Sequence, residues 1–480
     1  MSHKNIAKTI FSGVVWSLIG QIGYMLVILL TNVILARMVG PNEFGQFSII
    51  MFFIIIANII VEGGIGGALV IKEDADDRDY STAFLFNLSI SLVLYLILFC
   101  VAPLIAHYYD NDKFVVLLRL SGLIFIINSF QVVNTARMTK EMKFRQKSFY
   151  RLFAVIMASL IGVYLAFLGY GIEALLLIQI LYSLFFSIIL RIAMGGFKYN
   201  IFDINSFRFI YSFGINTSLA SLLNSFFDNV YQLILGGYFS INQAGFYYNA
   251  KRLQDVPVNI TNMLLQGVFF SAMAKNKNDE NLLILIYKKS STYLSVLIAL
   301  STIVIYIYAK DILLLLYGKN WTDAEFYLQI LAIVSFFYTQ ELLSRVLLKV
   351  LNKTRNILYL ELLKKTLQLV TIVVGIYYKN ISLLFYGFLL VAFVSYFFNM
   401  SRCRRLIPGL GYSSQLEVLK FCIIIFVCIL LGTKFYEYRF SFFPALILIY
   451  VLSLHITEIF RIKREYILFK IIMNKSKSNG

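Results

Sequence analysis

The chain has 480 residues, 60% of them hydrophobic and 14% charged, against about 25% charged in an average soluble protein. A soluble domain has no interior large enough to hide that apolar surface, so the composition excludes one and points to an integral membrane protein. The net charge of +18 raises nucleic acid as a partner, but the four cysteines form no CxxC pair, the three histidines are scattered, and no phosphate-binding glycine loop appears.

The opening "MSHKNIAKTIFSGVVWSLIGQIGYMLVILL" is a basic start running into an apolar stretch without a small-residue cleavage pattern, and reads as a retained first helix. Apolar blocks between polar breaks predict fourteen spans: 12–36, 46–70, 83–103, 115–136, 152–169, 173–190, 209–235, 246–272, 290–309, 324–348, 359–378, 381–400, 416–433 and 442–460. An even number puts both termini on one side. Placing them in the cytoplasm puts 32 of the 43 Lys and Arg there, including "RMTKEMKFRQKSFYR" (137–151) and the tail "RIKREYILFKIIMNKSKSNG". That is the bias of the positive-inside rule, so the charge is a topology signal with membrane lipid as its contact, and no nucleic acid is expected. The longest outer loop, about fifteen residues around "AKDILLLLYGKNWTDA", leaves no room for a soluble domain.

The chain repeats itself at an offset of 200. "LARMVGPNEFGQFS" (35–48) lies over "LGGYFSINQAGFYY" (235–248), matching Leu35/Leu235, Asn42/Asn242, Gly45/Gly245 and Phe47/Tyr247. A six-plus-six division follows, with lobes at 1–200 and 201–405 related by a pseudo-two-fold axis around a central cavity. Residues 406–480, holding helices 13 and 14 and the basic tail, are an appendage.

Two consecutive helices carry polar stripes at helical spacing. In "SLLNSFFDNVYQLILGG" these include Asn224, Asp228, Asn229 and Gln232; in "KRLQDVPVNITNMLLQG" they are Arg252, Asp255, Asn259, Asn262 and Gln266, with Lys251 beside them. A charged side chain at the bilayer centre costs about 2.5–3.5 kcal/mol on insertion scales, so these faces are expected towards water or protein rather than lipid. Interhelical hydrogen bonding is the blander use of the same residues. Glu62 of the second helix aligns with Asn262 at the 200 offset. Glu341 and Arg345, four apart, suit an internal ion pair as well as a ligand site. Pro257 and "EGGIGG" (62–67) are expected weak points in their helices.

The motif "LARMVGPNEFGQF" after the first helix, with Arg37, Gly40, Pro41, Glu43 and Gly45, the two lobes, the extra pair of helices and the basic loop after the fourth helix together resemble the polysaccharide flippases. These are the Wzx-type O-antigen and exopolysaccharide translocases of the MOP exporter superfamily, in their colanic-acid and teichuronic-acid branch. The second copy lacks the Arg, Gly and Pro of the motif, so Arg37 has no symmetric partner. The resemblance implies a transporter, not an enzyme, without cofactor or metal. It would move an undecaprenyl-pyrophosphate-linked glycan across the bacterial cytoplasmic membrane by alternating access, alongside a polysaccharide polymerase or assembly machinery. Arg252, Lys251 and Arg345 would hold the pyrophosphate or acidic sugars. Glu62, Asp228 and Asp255 would couple transport to a H⁺ or Na⁺ gradient. A multidrug antiporter of the same superfamily, a lipid II-type flippase and a membrane polymerase or ligase are the rival readings.

Overall fold

The computed structural model describes residues 3–195 and 202–434. It is all-helical among those residues, and each of the first thirteen predicted spans falls on helical segments, with 46–70 broken at two glycines and 246–272 divided by a π turn. In chain order they are α1 (His3–Met38), α2 (Pro41–Glu62), α3 (Ile65–Ile71), α4 (Asp77–Tyr108), α5 (Lys113–Lys140), α6 (Phe144–Phe167), α7 (Ile172–Met194), α8 (Ile204–Ile234) and α9 (Ile241–Leu264). Then follow α10 (Phe270–Lys275), α11 (Glu280–Ile307), α12 (Ala309–Leu316), α13 (Glu325–Val350), α14 (Thr354–Tyr377), α15 (Ile381–Leu406) and α16 (Ser413–Lys434). The fourteenth predicted helix, 442–460, and the basic tail lie outside the described residues.

Eleven segments among the described residues are long and apolar enough to cross a bilayer. The helices α8 and α14 have the length but are more polar; the first half of α14 alone carries Arg355, Glu361, Lys364 and Lys365. Large apolar side chains such as Leu96, Leu104, Leu160 and Phe167 stand exposed on the helix surfaces, as contact with lipid demands and water would not tolerate.

Local chemistry sets the helix ends. Pro41 occupies the first turn of α2, where a missing N–H leaves nothing unsatisfied, and Glu43 in the same turn faces the positive end of the helix dipole. Asp76 and Asp79 form a reciprocal capping box at α4, while Asp203 accepts from both the backbone N–H and the hydroxyl of Ser206 at α8. The glycine-rich weak point in α2 is a true break: Gly63 and Gly64 both take positive φ (47° and 67°), ending α2 and starting α3. Pro257 is carried inside α9, which continues to Leu264 and then loosens into a π turn at Leu265–Phe269. The predicted outer loop is instead structured as α12 and a 3₁₀ turn, Lys319–Ala324, because Leu313, Tyr317 and Trp321 give it an apolar face to bury.

Two compact units account for the chain: Met1–Leu253 with Leu313–Tyr327 and Ile376–Ile381, and Gln254–Ile312 with Leu328–Gly375 and the residues from Ser382 onward. Within the first unit α1 packs on α6, α6 on α7, α7 on α5, and α2 on both α5 and α8. Ile65, Leu69, Phe84, Val133 and Ile210 form one buried cluster there, drawn from α3, α4, α5 and α8. Within the second, α11 packs on α16 and on α10.

Candidate functional site

The repeated motif folds into a reciprocal contact inside the first unit. A Cβ placed on Gly45 would lie 1.9 Å from the carbonyl oxygen of Ile241, and one on Gly245 would lie 2.0 Å from that of Pro41. The two contacts exchange when residue numbers shift by 200, which is what a local two-fold axis between the first turns of α2 and α9 produces. Only glycine lets these backbones approach so closely. Around the crossing, Trp321 takes Phe44 and Phe246 edge-on at 5.3 and 6.1 Å, and its indole N–H donates to Ala36 O at 2.7 Å. The Arg37 guanidinium donates to the carbonyls of Leu315 and Leu316, satisfying the exposed end of α12. Gly40 and Pro41 make the turn, and Glu43 lies against Gly40 and Gly171.

Beyond the crossing on α9 stands Arg252. Its Nη2 donates to Tyr248 Oη at 2.5 Å, with the guanidinium 5.0 Å from that ring centroid. Among the described residues it makes no ion pair. Its other electrostatic neighbours are the phenols of Tyr317 and Tyr24. Tyr317 is buried, which holds its phenol above the ordinary value so that it stays a neutral donor and acceptor. Asn32 Nδ2 donates to Tyr317 Oη (3.2 Å) and to Asn249 Oδ1 (2.7 Å), fixing this polar layer. Arg252, Asn32, Thr31, Tyr24, Ser159, Gln179 and Tyr182 line a cavity of about 30 Å³ between the helices of this unit. That is room for one or two waters and no more. Ser159 Oγ in the cavity wall, and Asn249 Nδ2 of the residue that accepts from Asn32, are buried without hydrogen-bond partners.

The remaining sequence-selected residues fall around this centre or away from it. Lys251 is half-buried and donates to the carbonyl of Asp228 at 2.5 Å. Asp228 is exposed on α8, and Asp255 is half-buried on α9. Asn224 is half-buried; Gln232 is buried, donates to Asn229 and leaves its Oε1 without a partner. Asn259 and Gln266 are exposed, the latter inside the π turn, and half-buried Asn262 has an Oδ1 that makes no hydrogen bond. Glu62 is exposed at the end of α2, within electrostatic reach of Lys147.

Arg345 sits in a different setting, in the second unit. It pairs with Glu341 one turn away and with Glu361 of α14, while Lys364 Nζ reaches both Glu341 oxygens at 2.9 and 3.1 Å. Glu341 is fully buried, so the two cations and two carboxylates form a closed, mutually compensated set.

Sequence reading overlooked Lys147 and Arg151, both placed in a cytoplasmic loop. The loop ends earlier: α6 starts at Phe144, so these two cations lie four apart on one helical face. Arg151 stands over the Tyr24 ring at 3.8 Å and donates to Gln21 Oε1 at 3.0 Å. The i, i+4 spacing was the available signal.

Comparison with known proteins accords with this geometry. The chain is 25% identical over 284 residues to the teichuronic acid biosynthesis protein TuaB of Bacillus subtilis, covering 58% of each chain. It is 25% identical over 284 residues to the succinoglycan biosynthesis transport protein ExoT of Rhizobium meliloti (57% of this chain, 55% of that one), and 25% identical over 288 residues to the lipopolysaccharide biosynthesis protein WzxC of Escherichia coli (58% of each). In each case the match spans a little over half of the relative's length. The fold is like that of the lipid II flippase MurJ in an inward closed conformation, with a TM-score of 0.75, 16% identity, and coverage of 94% of this chain and all of that one. It is also like an inward-facing multidrug MATE transporter of the MOP superfamily, at 0.63, 16% identity, 82% and 96%. The "Polysaccharide biosynthesis protein" family matches residues 34–326, including the glycine crossing and the Arg252 layer, and the chain belongs to that family.

Proposed function

We propose that this protein translocates undecaprenyl-pyrophosphate-linked oligosaccharide repeat units across the bacterial cytoplasmic membrane for cell-surface polysaccharide synthesis. The observation that carries this reading is Arg252: a guanidinium on a membrane-length helix, lining a cavity, held by tyrosine rather than by a carboxylate. An uncompensated cation in that setting is costly to keep, and an anionic ligand supplies the missing charge. A diphosphate matches the guanidinium fork through charge-assisted hydrogen bonds. Lys251, one residue earlier, is the second cation offered to it. The names of the relatives support the glycan part of the substrate, and the MurJ-like fold supports a flipping mechanism.

The cavity is far too small for a glycan headgroup, so transport requires the helices around it to separate. We assign alternating access to two six-helix lobes, with fourteen spans in all and both termini cytoplasmic. The Gly45–Gly245 crossing is the close-packed point about which the repeated halves move. Glu62, Asp228 and Asp255 are the carboxylates through which a H⁺ or Na⁺ gradient acts, and a polysaccharide polymerase is the partner downstream. The MATE-like fold keeps a drug antiporter as the second reading, but a cavity walled by an unpaired cation repels cationic drugs.

The test is reconstitution in vesicles carrying a fluorescent undecaprenyl-pyrophosphate oligosaccharide, following its access to an impermeant glycan-modifying reagent. Protein-dependent appearance in the far leaflet, lost in Arg252→Ala, is the expected result. Transfer equal to that of protein-free vesicles, with efflux of cationic dyes instead, overturns the proposal.

A further inference from the structure

Residues 313–327 come from the second half of the chain, yet they belong to the first unit, while the chain on either side of them belongs to the second. They hold the end of α12 and the 3₁₀ turn, with Leu313, Tyr317, Trp321 and Ala324 buried. Gly318 joins the two pieces at φ 97°, a conformation that glycine alone adopts readily. This strap and the end of α1 cap one another. The helix α1 ends at Met38 and α12 at Leu316, so each leaves backbone carbonyls without a partner inside its own helix. The indole N–H of Trp321 donates to Ala36 O at 2.7 Å; Arg37 Nε donates to Leu316 O at 2.9 Å, and its Nη2 to Leu315 O. Two negative helix ends thus share one guanidinium.

The strap also reaches both the glycine crossing and the Arg252 layer. Trp321 lies edge-on to Phe44 of α2 and Phe246 of α9, one ring from each helix of the crossing, and meets Tyr317 at 5.6 Å. The Tyr317 hydroxyl accepts from Asn32 at 3.2 Å, and Asn32 lines the cavity beside Arg252. That cavity, about 30 Å³, admits water but no phosphate while these side chains stay in place. An anion at Arg252 therefore needs room and further donors, and the Asn32 N–H now given to Tyr317 is one of them. We infer that residues 313–327 are a ligand-released lock. With Tyr317 and Trp321 seated the crossing cannot turn; an anion on Arg252 frees it by taking Asn32 from Tyr317. A ligand shifts such an equilibrium only by its preference for one state, and the preference here is the donor and the volume that the withdrawn tyrosine leaves. Arg37, through the end of α12, sets how firmly the lock is held. The inference rests on the function proposed above, with the diphosphate at Arg252, and adds to it the step that ties binding to movement.

The chain has two tryptophans, so Trp16→Phe leaves Trp321 as the sole intrinsic reporter of the lock. The experiment uses that full-length variant in lipid nanodiscs, with inorganic pyrophosphate as the probe and acrylamide quenching of Trp321 as the readout. Quenching is expected to rise severalfold as pyrophosphate saturates, and not at all after Arg252→Gln. Because coupling between sites is reciprocal, loosening the lock must favour the ligand. Tyr317→Phe, which gives up one hydrogen bond of the closed state, should tighten pyrophosphate binding about two- to tenfold. Arg37→Gln should tighten it too and raise quenching before any ligand is added. A strap that only supports the fold predicts the opposite sign, with binding and thermal stability falling together in both variants. Should Trp16→Phe fail to fold, hydrogen exchange at 313–327 in the wild-type chain reports the same release. Pyrophosphate that binds through Arg252 yet leaves Trp321 shielded and exchange at 313–327 unchanged overturns the lock and leaves the diphosphate reading in place. Pyrophosphate binding that is absent, or untouched by Arg252→Gln, overturns the anchor of the proposed function and the trigger of the lock with it.

Discussion

Arginines in the two units of this protein meet opposite settings. In the second, Arg345 and Lys364 are met by Glu341 and Glu361, and the four groups close on themselves. In the first, Arg252 and Arg151 are met by phenols and an amide. Both are arginines on membrane-length helices, and composition alone does not separate them. The difference lies in what each leaves undone. A compensated set is a structural fixture, because any ligand ion must first break a pair that the low dielectric has made strong. An uncompensated guanidinium keeps an unmet demand for an anion, and that demand is available to a ligand.

The largest effect expected from this contrast is on stability in the second unit. Glu341→Gln leaves Arg345 and Lys364 with one carboxylate between them, and removing one partner from a buried ion set costs about 3–5 kcal/mol. Thermal unfolding in detergent should show a clear drop, partly recovered when Lys364→Met is added; an unchanged unfolding temperature would mean the set is not held as described. Next comes the crossing. Gly45→Ala and Gly245→Ala each force a methyl against a carbonyl oxygen, and overpacking of this kind costs about 1–3 kcal/mol. Because both relieve the same contact by the same backbone shift, the double variant should lose less than the sum. Full additivity would show two separate sites rather than one reciprocal contact.

Arg252→Ala inverts the pattern. It forfeits a cation–aromatic and hydrogen-bonding contact of about 0.5–1 kcal/mol but also removes a charge whose placement in a membrane costs about 2.5–3.5 kcal/mol. The variant should therefore unfold no earlier than the wild type while losing transport by more than about tenfold. An early unfolding transition would return Arg252 to a structural role. The smallest effect is expected at Asp203, outside the membrane-spanning helices. Hydrogen bonds from the Ser206 hydroxyl and N–H hold its carboxyl below the ordinary carboxylate range. Its contribution to folding is thus present above the usual carboxylate pKa and lost as pH falls through the lowered value. Asp203→Asn should flatten that acid limb slightly; an identical pH profile would exclude the cap from the balance.

Much of the fold was legible because lipid imposes a simple rule on each segment separately. Eleven of the predicted spans could be read from their own apolar runs. The break at Gly63–Gly64 and the Glu341–Arg345 pair were also legible, since glycine clusters and i, i+4 spacing are local signals. The sequence also revealed that Gly45 and Gly245 correspond, but not that each rests on the other's strand of backbone, because correspondence is not contact. Glu361 and Lys364 escaped notice as partners of Arg345 for the same reason: they belong to another helix. Arg151 was lost to a boundary, since a basic cluster at the cytoplasmic edge looks alike whether it ends a loop or opens a helix.

By itself, then, the order of residues determined the length and the apolarity of the segments able to cross a membrane. Those properties follow from the transfer of each segment between water and lipid, a quantity that depends on that segment alone. Which cations are neutralised and which stay open to a ligand was decided only by the tertiary structure. The energy of a charge inside a membrane protein is set within a few ångströms by neighbours on other helices, and no local pattern encodes who they are.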